Sequence, residues 1–313
     1  MPARDHLRIP ERVKTIRIGY DCMWGAASAF SAETISDCFP CLRPHYRFEL
    51  SDRPEVAFYS VYGYVTKRFN GARRLVYSGE PGDHFGLGAK IAPGVIELGF
   101  FDYGITCAIE NTSPNHFYWP QGFLHLNLYN GGVASLVRDG SPAPAKKHFA
   151  DFIYSNGYSR TRVEFMQALG AYRRVECCGA VARNNDALTG AAYSKAGYLL
   201  KQAFQSGSKF SIAFENTYFP GYTTEKITDP LLARSVPIYS GNPRVAEVFN
   251  PQAFINVDRC PSFGDAIAWI REVDQDEVLY QGYLGAPPFP ANQVPARFTD
   301  DAVLTFFQKI LNP

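Results

Sequence analysis

The second half of the chain alternates between strand-like and helix-like segments, and this alternation constrains the fold more than any other feature. Short runs of β-branched and aromatic residues are separated by longer segments with apolar residues three or four positions apart. The pattern predicts strand Phe149–Ser155, helix Thr161–Leu169, strand Arg173–Cys178, helix Ala187–Phe204, strand Phe210–Glu215, helix Thr224–Arg234 and strand Val236–Tyr239. Such βα alternation implies an α/β fold with a parallel sheet, whose ligands bind beyond the carboxyl ends of the strands.

The first half contains short strand-like segments broken by turns, with weaker helical patterns between them. The segments that resemble strands are Thr15–Tyr20, Tyr46–Leu50, Val56–Ser60, Arg74–Tyr77 and Phe101–Cys107. A chain of 313 residues exceeds the usual size of one hydrophobic core, so we expect two domains. Turn formers gather over residues 130–147, which places the boundary near residue 147. The amphipathic stretch Val303–Leu311 is expected to form a final helix that packs on its own protein.

Composition argues against several classes of partner. Lys and Arg number 31 against 30 Asp and Glu, so no overall field would attract a nucleic acid. No apolar run approaches the roughly 20 residues of a membrane-spanning helix, and the N-terminus has no signal-peptide core. The seven cysteines are odd in number and irregularly spaced, as in reduced proteins. We therefore expect a cytoplasmic protein without a transmembrane segment, and leave open peripheral contact with the inner face of the membrane.

The segment from Lys209 to Ser240 gathers polar residues where a ligand would bind. The alternating strand delivers Glu215 and Asn216 to its carboxyl edge, and Thr224 or its neighbour can cap the next helix. Helix starts present free N–H groups and a positive dipole, so a lysine there makes a plausible diphosphate site. Lys226 could then neutralise phosphate while Glu225 binds a ribose diol. An exposed helix start with ordinary surface charges is the alternative.

At this point the sequence resembles a known family. The motifs are FENT at Phe214–Thr217, GYTTEKI at Gly221–Ile227, VPIYSG at Val236–Gly241 and FNPQAFINV at Phe249–Val257. In this order they are similar to the donor-binding region of the bacterial α-1,3/4-fucosyltransferases of glycosyltransferase family ten. Weaker likeness extends upstream through FIYSN, followed by Arg162, and through YSGE and FDYGI in the first half.

The resemblance implies a GT-B arrangement of two Rossmann-like domains that face a cleft. Residues 1–147 would form the acceptor-binding domain and residues 148–313 the GDP-sugar donor-binding domain, with the C-terminal helix free to pack back on the first. The reaction would be inverting transfer of L-fucose from GDP-fucose to a glycan hydroxyl, forming an α-1,3-linkage to GlcNAc or Glc. No metal or other cofactor would be required. A lipopolysaccharide or protein glycan, carried by an oligosaccharide or a glycolipid, would be the acceptor.

The resemblance also assigns donor-site residues. Arg162 and Lys226 would bind the diphosphate, Glu225 the ribose, and Asn216 and Tyr222 would line the donor pocket. A guanidinium can hold phosphate oxygens in a bidentate fork, which fits Arg162 independently. A surface arginine on a helix is the alternative for this position.

The resemblance further implies that the catalytic base is a glutamate shortly after the FDY strand. Glu110 is our candidate, although it lies one position later than an ungapped alignment with the family would place it. On a regular strand, an offset of one residue points the side chain to the opposite face of the sheet. Asp102 and Glu80 are competing carboxylates. The glycine-rich stretch Gly82–Gly99 is interpreted as an insertion that forms a mobile loop near the acceptor cleft.

Two other readings of function stay open at the level of sequence. A transferase of another GDP-sugar would need the same diphosphate and nucleotide contacts, and only a few side chains would select the hexose. A sugar-nucleotide binding protein without turnover is also conceivable, because the expected base is displaced. A screen of donor sugars would show whether the protein uses another GDP-sugar. Tight GDP binding without transfer would favour the binding protein.

Overall fold

Two parallel sheets dominate the computed structural model, which describes residues 13–23, 30–60, 66–81, 91–92, 95–96, 101–190 and 194–312. The six strands of the first sheet lie in the order Tyr46–Leu50, Lys14–Asp21, Val56–Tyr59, Arg73–Ser78, Tyr103–Thr106 and His116–Tyr118. The five strands of the second lie in the order Val175–Cys177, His148–Phe152, Ser208–Phe214, Val236–Ser240 and Ile255–Asn256. Every pairing within these two sheets is parallel. The predicted α/β fold class is confirmed.

The first half supplies eight described strands and two α-helices. The strands are β1 Lys14–Asp21, β2 Tyr46–Leu50, β3 Val56–Tyr59, β4 Arg73–Ser78, β5 Ile91–Ala92, β6 Val95–Ile96, β7 Tyr103–Thr106 and β8 His116–Tyr118. The helices are α1 Thr34–Cys38 and α2 Gln121–Tyr129. Strands β5 and β6 form a separate antiparallel pair. The rest of the predicted loop at Gly82–Gly99 lies outside the described residues.

The second half supplies five strands and six α-helices to the described structure. The strands are β9 His148–Phe152, β10 Val175–Cys177, β11 Ser208–Phe214, β12 Val236–Ser240 and β13 Ile255–Asn256. The helices are α3 Arg160–Tyr172, α4 Lys195–Ser206, α5 Glu225–Leu232, α6 Phe263–Gln275, α7 Glu277–Gly285 and α8 Asp300–Leu311. Short 3₁₀ turns lie at Pro40–Leu42, Val133–Leu136, Val245–Glu247, Val257–Arg259, Pro290–Asn292 and Ala296–Phe298. No helix in the described ranges combines the length and apolar character needed to cross a membrane.

The helix predicted at Ala187–Phe204 begins too early. Residues 187–190 form a turn in which Gly190 has a φ of 78°, a left-handed conformation that interrupts a helix. The helix instead starts at Lys195, where the Ser194 side chain accepts a hydrogen bond from the Gly197 N–H. The helix that contains Pro230 continues through the proline and ends at Leu232, so the proline does not itself end the helix.

The two halves approach closely at two glycines. The Gly122 N–H on α2 donates to the Thr223 carbonyl at 3.0 Å, and a Cβ at Gly122 would lie 2.7 Å from the Thr224 carbonyl oxygen. Gly221 has a φ of 90°, and a Cβ there would lie 2.1 Å from the Cys107 carbonyl oxygen. Only glycine allows this backbone-to-backbone contact, because any side chain would separate the halves.

Helix α8 packs against the first sheet, although it is the last element of the chain. The Phe306 ring lies 5.1 Å from Phe117, and Phe307 lies 5.0 Å from Phe39, measured between ring centroids. The Lys14 ammonium donates to the Leu311 carbonyl at 2.8 Å. The helix therefore buries its apolar face on the half of the molecule where the chain begins.

Candidate active site

A cavity of about 660 Å³ lies between the halves, at the carboxyl ends of β9 and β11. The first half contributes Glu80, Gln121, His125 and Tyr129 to its walls, and the second contributes the remaining residues, among them Arg162, Asn216, Tyr222, Glu225 and Lys226. This position beyond the carboxyl edge is where parallel α/β sheets bind their ligands. The five donor-site residues predicted from the sequence therefore border one cavity.

Glu215 joins the end of β11 to the start of α5. Its carboxylate accepts hydrogen bonds from the Thr224 N–H at 2.8 Å and from the Thr224 hydroxyl at 2.7 Å. Thr224 caps the helix by accepting from the Lys226 N–H. Because the Glu215 side chain is fully buried and both of its oxygens are occupied, it positions the helix start and is not available to a ligand.

Lys226 lies among carboxylates at the first turn of α5. Its ammonium is 3.4 Å from Glu215 and 3.8 Å from Glu225, and its side chain is 13% exposed. Burial acts to lower the pKa of Lys226, but Glu225 and Glu215 raise it above its ordinary value. Burial likewise opposes ionisation of Glu225, yet Lys226 and neighbouring cations hold the pKa of Glu225 well below its usual range. Both groups are therefore charged at neutral pH.

Arg162 is a buried cation without a carboxylate partner. It is 2% exposed, and its guanidinium lies 4.5 Å above the centre of the Tyr154 ring. One Nη donates to the Asn216 side-chain oxygen at 3.0 Å, while the Nε has no partner. Within the described part of the chain, no carboxylate lies within ion-pair distance of Arg162. A buried positive charge of this kind is costly unless an anion compensates it, so the cavity is suited to an anionic ligand.

A hydrogen bond between the halves closes one side of the cavity. The Tyr222 hydroxyl donates to the Glu80 carboxylate at 2.8 Å, although the two residues are 142 positions apart. Burial, together with the negative charges of Glu215 and Glu80, raises the pKa of Tyr222 far above its ordinary value, so the phenol stays protonated and donates. Glu80 follows β4 at the carboxyl edge of the first sheet.

Aromatic rings and Lys201 also line the cavity. His125 lies 5.9 Å from both Tyr129 and Tyr198, and these tyrosine rings are 4.9 Å apart. The Lys201 ammonium pairs with the buried carboxylate of Asp229 at 2.7 Å. The His125 Nδ1 is buried without a hydrogen-bond partner. This wall can receive a flat, partly polar group.

The predicted base occupies a different place from the donor-site residues. Glu110 lies on the turn after β7, outside the lining of the cavity, with its side chain 36% exposed and its carboxylate 3.6 Å from Arg244. Glu80, one of the competing carboxylates, does line the cavity. The other competitor, Asp102, forms an ion pair with Arg74 at 3.0 Å and also accepts from the Arg74 N–H. Asp102 therefore has a structural role.

Several residues at the cavity were not identified from the sequence. His125 and Tyr129 are four positions apart on α2, and Tyr198 and Lys201 are three apart on α4, so each pair shares a helix face. The spacing within each helix could have indicated that the members of each pair lie on one face. Nothing in the local sequence indicates that the face on α2 and the face on α4 meet at the same cavity. Among the described residues, no group of three His, Cys, Asp or Glu side chains is placed to hold a metal ion.

The fold and cavity define a class: a GT-B type protein with a cleft between two Rossmann-like sheets and a cavity at the carboxyl edge of the second. Comparisons with known proteins point to one family. Residues 143–285 match the family model described as glycosyltransferase family 10 (fucosyltransferase) C-term. The resemblance predicted from the sequence is confirmed over these residues, which make up most of the second half.

Curated relatives agree with this assignment. The chain is 35% identical over 185 residues to alpha-(1,3)-fucosyltransferase FucT of Helicobacter pylori, covering 57% of this chain and 36% of the relative. It is 28% identical over 199 residues to putative fucosyltransferase R654 of Acanthamoeba polyphaga mimivirus, covering 61% of this chain and 32% of the relative. The matched regions thus span about a third of these longer proteins.

Solved structures support the fold over the whole chain. A crystal structure of an alpha1,3-fucosyltransferase with GDP superposes with a TM-score of 0.73, at 23% identity, covering 99% of this chain and 94% of the other. A structure of an alpha1,3-fucosyltransferase with GDP-fucose gives 0.72 at 22% identity, covering 100% and 94%. The GT-B arrangement therefore includes the first half, which the family model does not match.

Proposed function

We propose that this chain transfers L-fucose from GDP-fucose to a glycan hydroxyl with inversion at the anomeric carbon, forming an α-1,3-linkage to GlcNAc or Glc. The observation that carries the proposal is the buried Arg162, which has no carboxylate partner among the described residues and lies in the same cavity as Lys226. The relative from Helicobacter pylori is named an alpha-(1,3)-fucosyltransferase, and solved structures of similar fold contain GDP or GDP-fucose.

The donor fits the cavity by charge. Arg162 and Lys226 both border the cavity, and the positive end of the α5 dipole lies at Lys226, which suits the two negative phosphates of GDP. Glu225 is ionised and borders the cavity beside Lys226, so its oxygens can accept from the ribose hydroxyls. The Asn216 amide and Tyr222 complete this pocket. We further propose that residues 148–313 bind the donor and residues 1–147 the acceptor.

The proposed reaction is a single displacement. The acceptor oxygen attacks the anomeric carbon from the face opposite GDP, the carbon–oxygen bond to GDP breaks, and the acceptor proton passes to a carboxylate. Negative charge then accumulates on the diphosphate, where Lys226, Arg162 and the α5 dipole stabilise it in a site already arranged for that charge. Glu110 remains our sequence-based candidate for the base, and its use requires the acceptor to reach the turn beyond β7.

The experiment is transfer from a panel of GDP-sugars to lactose and N-acetyllactosamine, with the anomeric configuration of the product determined by NMR. GDP-fucose should be the preferred donor, with an α-linked product from the β-linked donor. Preference for GDP-mannose would assign the protein to another donor. Tight GDP binding without transfer from any donor or to any acceptor would indicate a sugar-nucleotide binding protein.

The base is assigned by a matched pair of variants in the same assay. Glu110→Gln should lower kcat by about 10²-fold or more while GDP affinity is unchanged, because the amide cannot take the proton. Full activity in Glu110→Gln would place the base elsewhere. Glu49→Gln, an exposed carboxylate on β2, is the control.

A further inference from the structure

A second cavity, also of about 660 Å³, lies at the amino edge of the second sheet. Lys146 precedes β9, Lys209 lies near the start of β11 and Arg234 precedes β12, and all three border this cavity. Because β9, β11 and β12 are parallel, their amino ends meet at the edge opposite the cavity between the halves. Strand β11 has seven residues, so the two edges are roughly 20 Å apart. The second cavity is therefore separate from the proposed donor site.

Arg234 brings a charge without a partner to this second cavity. Its side chain is partly buried, and its Nε is buried without a hydrogen bond to any described residue. Among the residues that the structure describes, no carboxylate lies within ion-pair distance of its guanidinium. Asp139 lies farther away and is exposed to solvent. A guanidinium in this setting favours an anionic ligand, because its donors are otherwise unused.

Tyr280 contributes a hydroxyl group that also lacks a partner. The residue is 2% exposed and borders the second cavity, and its hydroxyl oxygen is buried without a hydrogen bond to any described residue. Burial raises the pKa of Tyr280 above its ordinary value, so the phenol stays protonated and can donate. Buried polar groups in native proteins are almost always hydrogen-bonded. The missing acceptor is therefore expected to come from a bound ligand.

Lys146 has a structural role that does not explain the other two residues. Its ammonium donates to the Ser206 carbonyl at 2.9 Å and to the Arg234 carbonyl, at the end of α4 and just after α5. These bonds use two of its three donors and satisfy carbonyls that helix ends leave unpaired. They account for a lysine at this position. They leave the Arg234 guanidinium and the Tyr280 hydroxyl without a function.

Positive charge exceeds negative charge around the second cavity. Lys209 pairs with Asp274 at 2.6 Å, but Asp274 also pairs with Arg173 at 3.0 Å, so this group has one positive charge in excess. Glu277 is the one carboxylate among the described residues that border the cavity, and it is exposed. The excess of cations suits a doubly charged phosphate better than a single carboxylate.

We propose that the second cavity binds the phosphate group of a phosphate ester, with Arg234 and Tyr280 donating hydrogen bonds to its oxygens and Lys146 adding positive charge. A guanidinium holds two phosphate oxygens in a fork, and the phenol can donate to a third. A volume of about 660 Å³ is typical of sites for whole small molecules, so the phosphate is part of a larger ligand. The proposal does not depend on the proposed function, since it concerns the opposite edge of the sheet.

The test is calorimetric titration with glycerol 3-phosphate, joined by sedimentation with vesicles of phosphatidic acid or of phosphatidylcholine. Wild type should bind glycerol 3-phosphate with a Kd on the order of 1 mM or below. The vesicles are included because Val278 and Leu279, on the same helix as Tyr280, are 82% and 40% exposed. Binding of glycerol 3-phosphate would assign a soluble ester, whereas binding of phosphatidic acid vesicles alone would assign a lipid headgroup.

Variants locate the bound phosphate. Tyr280→Phe removes a hydroxyl that has no partner in the chain, so it should weaken binding about fivefold while the free energy of unfolding in phosphate-free buffer is unchanged. Arg234→Gln should weaken binding about tenfold or more, because it removes a charged donor. Arg47→Gln, at an exposed arginine on β2, is the matched control and should bind as wild type. If Arg234→Gln is unfolded by circular dichroism, Tyr280→Phe decides the result.

Three outcomes would overturn the proposal. Unchanged affinity in both Tyr280→Phe and Arg234→Gln would show that the phosphate binds elsewhere. A loss of affinity in Lys226→Ala that is absent in Arg234→Gln would place the phosphate in the cavity between the halves. No saturable binding of glycerol 3-phosphate up to about 10 mM, together with no preference for phosphatidic acid vesicles, would leave the cations with a structural role alone.

Discussion

The carboxyl edges of the two sheets meet across the same cleft, but they are built differently. At the second sheet, Glu215 and Thr224 are buried and fully hydrogen-bonded, and they fix Lys226 at the start of α5. At the first sheet, Glu110 lies on a turn, is 36% exposed and pairs with Arg244. A rigid, buried arrangement stabilises charge that develops at a fixed place, whereas an exposed turn can adapt to a bulky substrate.

The largest effect is expected at the carboxyl edge of the second sheet. Lys226→Ala removes a nearly buried charge from the proposed diphosphate site, so kcat/KM for fucose transfer should fall on the order of 10³-fold, with weaker GDP binding. Steady-state kinetics and calorimetry measure both quantities. Lys147→Ala, an exposed lysine outside the cavity, is the matched control and should retain wild-type activity. Equal losses in the two variants would show that the effect is not local to the diphosphate site.

The contact between the edges should be sensitive to a single methyl group. Gly221→Ala places a Cβ against the Cys107 carbonyl and imposes a left-handed conformation on alanine, so the free energy of unfolding should fall by about 3 kcal/mol. Gly131 also has a positive φ, of 75°, but nothing lies within 4 Å of its Cβ position. Gly131→Ala should therefore cost only about 1 kcal/mol. Urea denaturation measures the free energy of unfolding of both variants, and the difference between them separates the clash from backbone strain. Similar losses in the two variants would argue against a tight contact between the halves.

The smallest effect is a difference in pH dependence between the sheets. In the first sheet, burial lowers the pKa of His116 to about 4, so stability from its neutral form is present above about pH 6.5 and is lost as pH falls through 4. In the second sheet, burial raises the pKa of Asp151 to about 6, so stability from its protonated form is present below about pH 4 and is lost as pH rises through 6.

Variants of these two residues should therefore change in opposite directions. From pH 4.5 to 7, the stability advantage of wild type over His116→Gln should grow by about 2 kcal/mol. Its advantage over Asp151→Asn should shrink by a similar amount. Denaturant titrations at several pH values measure both trends. Trends of the same sign in the two variants would contradict the assignment.

The same contrast explains what the sequence could predict. The elements of the second half follow from local patterns, and the FENT and GYTTEKI motifs place Asn216, Tyr222, Glu225 and Lys226 together because strand, loop and helix are consecutive. The contacts of Glu80 could not be predicted, since the hydrogen bond to Tyr222 joins residues 142 positions apart. The predicted start of α4 at Ala187 was wrong. The left-handed conformation of Gly190 and the cap at Ser194 delay the helix to Lys195, despite the helical pattern of the preceding residues.

The central claim is that the cavity beside the second sheet holds the diphosphate of a GDP-sugar. Calorimetric titration of wild type with GDP and with GMP tests it most directly, because the two ligands differ by one phosphate. We predict that GDP binds about 10²-fold more tightly than GMP, and that Lys226→Ala removes most of the difference. Equal affinity for GDP and GMP, or a preference for GDP that persists unchanged in Lys226→Ala, would contradict the account.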